Sequence, residues 1–378
     1  MSKPVTDTRS VWCRIFLPLL AALLLPACAS QEAIEERERQ AARTSEERQA
    51  VFVMQIDRIL QRVPANSPGL IVKVIKNGQT RYQHSVGLAD VEKKRPITPD
   101  TLFAIGSITK PMTAIALLQL AEKGALSLSD PLGKWIAELP QEWRMESIQR
   151  LLSHQTHFNF PEIPLFNGMT NQDVLRRLKD TKTWQPLSDQ PVGYSNPAYM
   201  LLAQVIEAAS GMSYSDYLKY HIFNMAGMST AAVSPNPFAT DRHIALNYGL
   251  SPLQFRRSFY LHGAGGVYAS VEDIERFSLA LLAGKLVSPD SLRLMTSDHS
   301  HAIVRNGFNS HYGFGWFVPP DSGGGTVFYH SGQSDGYQSL LYIDQRSGVI
   351  AIMLSNGGDT TGKLITAASG IVVNMYPE

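Results

Sequence analysis

The order of apolar patterns along the chain points to an α+β architecture: an antiparallel sheet contributed by both chain ends, flanked by terminal helices, with an inserted helical lobe. Three observations carry this. β-Branched and apolar runs open the globular part at 70–75 and 80–86 and return at 314–317, 326–330, 338–344 and 349–355. Between them, about 108–260 shows helical apolar spacing broken by long loops. Roughly 325 residues follow the N-terminal segment, enough for two lobes with a site between them.

Taken in order, the elements begin with Lys3, Arg9 and Arg14, which precede an apolar run from Ile15 to Leu25. That run has the length of a signal-peptide core and is too short to span a bilayer. It ends in Leu25-Pro26-Ala27-Cys28, which resembles a bacterial lipoprotein signal in which the cysteine is acylated and becomes the first mature residue. Only Cys13 and Cys28 occur, so cleavage would leave Cys28 without an intrachain disulfide partner. Ala29 after the cysteine implies outer-membrane sorting and hence a lipid-anchored, periplasm-facing protein of the cell envelope. Residues 28–50 then read as a charged tether, with Glu35-Glu36-Arg37-Glu38-Arg39 and Glu46-Glu47-Arg48.

The globular domain is expected over 51–378. Phe52, Ile56, Ile59, Leu60 and Val63 form a helical stripe, and Pro68-Gly69 leads into a strand over Leu70–Ile75. Asn77-Gly78 is a hairpin turn before the strand from Thr80 to Val86. A closing helix is expected over roughly 362–375. The formal net charge of +1, falling to about −1 without residues 1–27, and the absence of a basic stripe argue against a nucleic-acid partner.

Three segments carry chemistry. In Gly106-Ser107-Ile108-Thr109-Lys110, a helix start would bring serine and lysine onto one face, and a desolvated lysine could activate the hydroxyl. A chain of this composition contains about one Ser-x-x-Lys by chance, so the motif alone is weak. The apolar run after Ile108, stopped by Gly124, would bury the lysine. Tyr194-Ser195-Asn196 lies in a loop opening a helix whose apolar face is Leu201, Leu202, Val205 and Ile206 and which ends at Gly211. Third, the strand ending in His330-Ser331-Gly332 closes on a glycine that permits close backbone approach to a ligand.

In this order the segments resemble the penicillin-recognising serine hydrolases, the group of class C β-lactamases, D-Ala-D-Ala carboxypeptidases and family VIII esterases. Ser107-x-x-Lys110 matches the first motif, Tyr194-x-Asn196 the second, and His330-x-Gly332 the third with histidine in place of lysine. Leu151-Leu152-Ser153-His154, Gly265-Gly266-Val267-Tyr268, Tyr312-Gly313-Phe314-Gly315-Trp316 and Ile352-Met353-Leu354-Ser355-Asn356 extend the likeness from about residue 52 to the C-terminus. Gln155-Thr156-His157 departs from the Thr-Ser-Gly usual in that group.

The resemblance implies a β-lactamase-like fold and two-step acyl transfer. Ser107 would form an acyl-enzyme that water cleaves, with Lys110 and Tyr194 exchanging the proton. Either could be the free base. Asn196 would orient Lys110 or a substrate amide, and the backbone N–H groups of Ser107 and Gln333 would hold the oxyanion. His330, Ser331 and Gly332 would line the substrate side, and no cofactor or metal is required.

An unperturbed histidine at 330, with a pKa of about 6.5, would offer an anionic substrate less attraction than lysine, which implies ester cleavage over β-lactam or D-Ala-D-Ala peptide cleavage. The non-enzymatic alternative is a silent peptidoglycan- or partner-binding lipoprotein. Against it, a binding module has no need of Ser107, Lys110, Tyr194 and Asn196 together.

Two other patterns lead elsewhere. Gly332-Gln333-Ser334-Asp335-Gly336 matches the nucleophile elbow Gly-x-Ser-x-Gly, yet a strand rather than a helix follows and no histidine occurs after His330. Ser334 therefore reads as a turn residue. His154 with His157, and His299 with His301, lack the further ligands of a metal set.

Overall fold

The computed structural model describes residues 47, 49–156, 170–180, 193–234, 243–249, 261–300, 310–320, 325–334 and 336–375. The signal segment 1–27, Cys28, most of the tether, His157 and His301 lie outside the described residues. The chain divides into two units, Met1–Met54 and Gln55–Glu378, and the second carries the architecture below.

Helix α1, helical through residue 60, buries Ile56, Ile59 and Leu60. Strands β1 (Leu70–Lys76) and β2 (Gln79–Val86) form the expected hairpin, with Asn77 and Gly78 at φ 51° and 74°, the two left-handed residues that a type I′ turn needs. Short strands β3 (Leu88–Asp90), β4 (Arg95–Pro96) and β5 (Phe103–Ala104) lead to α2 (Thr109–Glu122), and α3 (Ile148–Leu152) and α4 (Asn171–Asp180) follow. Next come α5 (Asn196–Ser210), α6 (Tyr214–Leu218), α7 (Asn224–Ala226), β6 (Ala232–Val233), β7 (Val267–Ala269), α8 (Val271–Leu282) and α9 (Pro289–Met295). The chain closes with β8 (His311–Tyr312), β9 (Phe317–Val318), β10 (Val327–Ser334), β11 (Tyr337–Asp344), β12 (Val349–Ser355) and α10 (Gly358–Met375).

The large sheet has the order β2-β1-β12-β11-β10-β9-β8, antiparallel throughout, so the two ends of the domain meet at β1 and β12, with Leu70 opposite Ser355 and Val74 opposite Ala351. Alternation along the strands assigns two faces. On one, Ser339 reaches the Ile105 carbonyl and Lys73 pairs with Glu275 of α8 at 2.5 Å. On the other, Ser355 bonds Thr361 of α10, and α10 covers β11 and β12. Helices on both faces explain why β12 reads as an unbroken apolar run rather than an alternating one.

Helix α2 is buried on every side from Thr109 to Leu120, the environment of a helix that is apolar all round. Two of its polar side chains find partners for their donors, Thr113 donating to the Gly263 carbonyl at 2.7 Å and Gln119 to the carbonyls of His221 and Leu286, while Thr109 Oγ1 and Gln119 Oε1 have none among the described residues. Gly124, at φ 70°, ends it as the sequence implies, its N–H reaching Ala121 and that of Ala125 reaching Leu120. Asn356 clasps the opposite end of the sheet, accepting from Gly69 N–H and donating to the Leu88 and Leu246 carbonyls.

The structure corrects several sequence boundaries. Residues 313–316 are a turn between β8 and β9, not a strand, because Gly315 needs φ 81° and a side chain on Gly313 would meet the Met295 carbonyl at 2.2 Å. β10 continues through Ser331, Gly332 and Gln333 to Ser334, held by pairing with β11, where sequence alone ended the strand at His330. Within about 108–260 the short strand β6 adds to the helices, pairing with β7 in a small antiparallel sheet that β5 completes. The last helix begins at Gly358 rather than near 362.

Gly332 and Gly370 make opposite predictions. A Cβ at Gly332 would lie 2.1 Å from the Ile105 carbonyl and 2.3 Å from Ser339 Oγ, whereas one at Gly370 meets nothing within 4 Å. Urea denaturation should show Gly332→Ala less stable by about 1–3 kcal/mol and Gly370→Ala, in a helix interior, more stable by about 0.5–1 kcal/mol. Equal midpoints for the two would contradict the close approach of β10 to residue 105.

Candidate active site

Ser107 sits in a single 3₁₀ turn, Gly106–Ile108, immediately before α2, and Lys110 is the second residue of α2 itself. Gly106, at φ 53°, begins that turn and lies against β10: a Cβ there would come within 2.9 Å of Gln333 N and 3.1 Å of Gln333 O. The close approach that glycine permits at position 332 is likewise to the protein's own backbone at Ile105. Two glycines on facing segments thus bring the third motif's strand onto the turn that carries Ser107.

Lys110 is fully buried, and its Nζ lies 3.0 Å from Ser107 Oγ, 2.8 Å from Asn196 Oδ1 and 3.0 Å from the Ala264 carbonyl. It also stands 4.5 Å from the centre of the Tyr194 ring. Burial pushes the amine well below the ordinary lysine value, because the charged form loses its hydration. Two of its three partners, the carbonyl oxygens of Asn196 and Ala264, can only accept. A neutral amine, with two N–H bonds and one lone pair, satisfies both and keeps its lone pair for the Ser107 hydroxyl.

The Tyr194-Ser195-Asn196 segment is set by the start of α5. Ser195 is the N-cap, its Oγ accepting from Ala198 N–H, and Pro197 occupies the first turn, where its missing donor is harmless. Asn196 thereby leads the helix toward Lys110. The Tyr194 hydroxyl is buried without a hydrogen bond of ordinary geometry among the described residues. Burial drives its pKa up, and its interaction with Ser107 opposes that push only in part. Lys110 and Tyr194 are therefore pushed in opposite directions, each toward its neutral form.

His330 is buried, which alters the sequence expectation of an ordinary imidazole. Its Nδ1–H donates to the Ser331 carbonyl at 2.7 Å, leaving Nε2 to accept from the Tyr312 hydroxyl at 3.0 Å. Burial, with the nearby Lys110 amine, lowers its pKa to about 3, against a small upward pull from the Ser331 carbonyl. His330 is thus neutral across the ordinary working range rather than only above its unperturbed value. Ser331 is exposed on the strand edge, and Gly332 is buried beneath it.

Several groups at the site were not foreseen as members of it. The Ala264 carbonyl reaches Lys110 because Gly263, at φ 92°, lets the chain pass where a Cβ would lie 2.0 Å from the Tyr199 carbonyl. The sequence signal was the glycine cluster at 263–266. Tyr312 and Tyr199 pack with His154 around the site, their rings 4.6 and 5.1 Å from the imidazole. His299, from the second histidine pair, instead stacks on Phe314 at 4.1 Å and bonds the Leu294 carbonyl.

Comparison with known proteins identifies the family and the fold. The chain is 31% identical to penicillin-binding protein 4* of Bacillus subtilis, over 77% of its own length and 68% of that protein. In fold it is similar to the D-amino acid amidase of Ochrobactrum anthropi SV3, solved with L-phenylalanine amide, at a TM-score of 0.72 and 22% identity, covering 85% of this chain and 99% of that one. A class C β-lactamase of Rhodobacter sphaeroides gives a TM-score of 0.69 at 20% identity, covering 85% and 98%. The β-lactamase family model matches residues 56–372, a span that takes in the serine turn, the α5 entry and the β10 edge alike, and the chain belongs to that family.

Proposed function

We propose that the chain is a serine hydrolase that cleaves esters or amides through an acyl-enzyme on Ser107. The observation that carries this reading is the Lys110 amine, buried 3.0 Å from Ser107 Oγ with its other two partners obligate acceptors. In this reading Lys110 takes the Ser107 proton as Oγ bonds to the acyl carbon, and the electron pair moves onto the carbonyl oxygen. Backbone N–H groups of Ser107 and Gln333 hold that oxyanion; the contact of Gly106 with Gln333 supports the pairing. Collapse expels the leaving group, which receives its proton from the Tyr194 hydroxyl, Tyr194 being replenished from Lys110. Water then repeats the sequence on the acyl-enzyme and frees Ser107.

Labelling tests the nucleophile. A fluorophosphonate should modify the purified protein on the peptide that contains Ser107, and Ser107→Ala should abolish both the adduct and turnover of short-chain p-nitrophenyl esters. Modification at Ser334, or wild-type ester turnover in the alanine variant, would overturn the assignment.

Substrate preference follows from His330. A neutral imidazole at the position where lysine stands in related motifs offers no cation to a carboxylate, so esters should outrun penicillins and cephalosporins. A histidine titrating at its unperturbed value would become cationic on acidification and favour anionic substrates. With its pKa near 3, the ratio of kcat/KM for anionic over neutral substrates should stay flat from about pH 8 to about pH 5. His330→Lys should raise that ratio. A ratio that climbs below about pH 6.5 would show that His330 titrates in the open.

For location we infer a lipid-anchored, periplasm-facing protein of the cell envelope, supported by Leu25-Pro26-Ala27-Cys28 and by the lack of any cysteine after Cys28. In a bacterial host, labelled palmitate should enter the wild type and not Cys28→Ser. An unlabelled wild type starting at another residue would exclude the anchor.

A further inference from the structure

Four helices of this domain end in the same way. α2, α5, α7 and α8 are followed by Gly124, Gly211, Gly227 and Gly284 at φ between 68° and 77°, the left-handed position where lack of a Cβ removes the steric penalty. In α2 and α8 the next two N–H groups return to the last turn: Gly124 to Ala121, Ala125 to Leu120, Gly284 to Leu281 and Lys285 to Ala280. Helix α3 closes with the same bond pattern, His154 N–H to Leu151 and Gln155 N–H to Arg150, but the left-handed residue is His154, at φ 57°. A side chain has been kept where the fold elsewhere uses glycine.

That side chain is fully buried, and its Nδ1 accepts the backbone N–H of Ser195 at 3.2 Å. The peptide so held joins Tyr194 to Ser195, and Ser195 in turn caps α5 at Asn196. The imidazole also lies 4.6 Å from the Tyr194 ring, and its Nε2 has no hydrogen-bond partner among the described residues. A second tie joins the same two elements, the Tyr199 hydroxyl donating to the Leu152 carbonyl at 2.7 Å. Helix docking alone is therefore served without His154.

We infer that His154 is a positioning residue: its Nδ1 fixes the Tyr194–Ser195 peptide, and through it the Tyr194 hydroxyl and the Asn196 amide, in register with Ser107 and Lys110. The inference rests on the proposed serine chemistry and adds to it a residue from outside the three motifs. Left-handed backbone is tolerated here because the hydrogen bond fixes it, and strain of this kind concentrates at functional sites.

Three variants separate backbone conformation from hydrogen bonding. Asparagine accepts through Oδ1 at nearly the place of Nδ1 and tolerates positive φ; glycine tolerates the φ but offers no acceptor; alanine lacks both properties. The apparent rate of Ser107 phosphonylation and kcat for ester cleavage should fall about 10- to 100-fold in His154→Gly and His154→Ala, the scale of a misplaced catalytic group, while His154→Asn recovers most of the loss. Thermal stability should follow a different order, with alanine below glycine.

Amide hydrogen exchange at Ser195 reads the bond without reference to activity: it should quicken at least about tenfold in the glycine and alanine variants and return toward wild type with asparagine. Rates that follow the stability order, or exchange at Ser195 unchanged in the glycine variant, would overturn the inference. A wild type that shows the exchange pattern but no Ser107 adduct would leave the positioning bond standing and sink the proposed function instead.

Discussion

The desolvated amine of Lys110 is the constraint to which the rest of the site answers. An ammonium in this place would lose its hydration, and no carboxylate contacts it among the described residues to compensate; its bonded partners are a hydroxyl and two carbonyls. The neutral form is therefore favoured, and neutrality is what turns a lysine into a base. Keeping it so requires a helix buried on all sides, a glycine at 263 to deliver one carbonyl, and a capped helix start to deliver the other. The two buried imidazoles nearby obey the same rule, each with one ring nitrogen committed as an acceptor, to Ser195 N–H in His154 and to the Tyr312 hydroxyl in His330. Three basic groups are buried close together because none has to carry charge at rest.

The same logic couples sheet to site. β10 approaches the serine turn only because residues 106 and 332 lack side chains, and Ser339 of β11 fixes the Ile105 carbonyl from beneath. A sheet that shifted by a residue would turn Ser339 to the opposite face and leave that carbonyl unheld. The precision of the site is thus a property of the strand register.

Much of this was legible beforehand, for particular reasons. Asn77-Gly78, Gly124 and Gly211 are local signals, fixed by the conformations their own backbones require, and they stand where the sequence placed them. The three motifs are weak one by one and become recognisable only in their order along the chain. What escaped were contacts between segments distant in sequence. Ala264 contributes only a carbonyl, which any residue could supply, and His154 carries no signal of its role because its partner, the Ser195 N–H, is likewise independent of side chain. His330 was misjudged in its electrostatics for a similar reason: pattern identifies an imidazole, but its ionisation depends on packing by Tyr312 and Phe317. The stretch at 314–317 has strand-like residues, yet Gly315 turns the chain there.

The pairing of β1 with β12 bears on how the protein is made. A ribosome delivers Leu70 long before Ser355, so the first hairpin emerges with one edge unpaired and waits for the last strand to fill it. Ser107 and Lys110 are synthesised early as well, but β10, whose Gln333 backbone lies against Gly106, arrives only near the end. Ser107 and Lys110 are thus in the chain well before the surroundings that join them to β10 can exist, and contacts of such wide sequence separation form slowly. The order of synthesis thereby keeps Ser107 and Lys110 apart from the β10 backbone until the fold is whole.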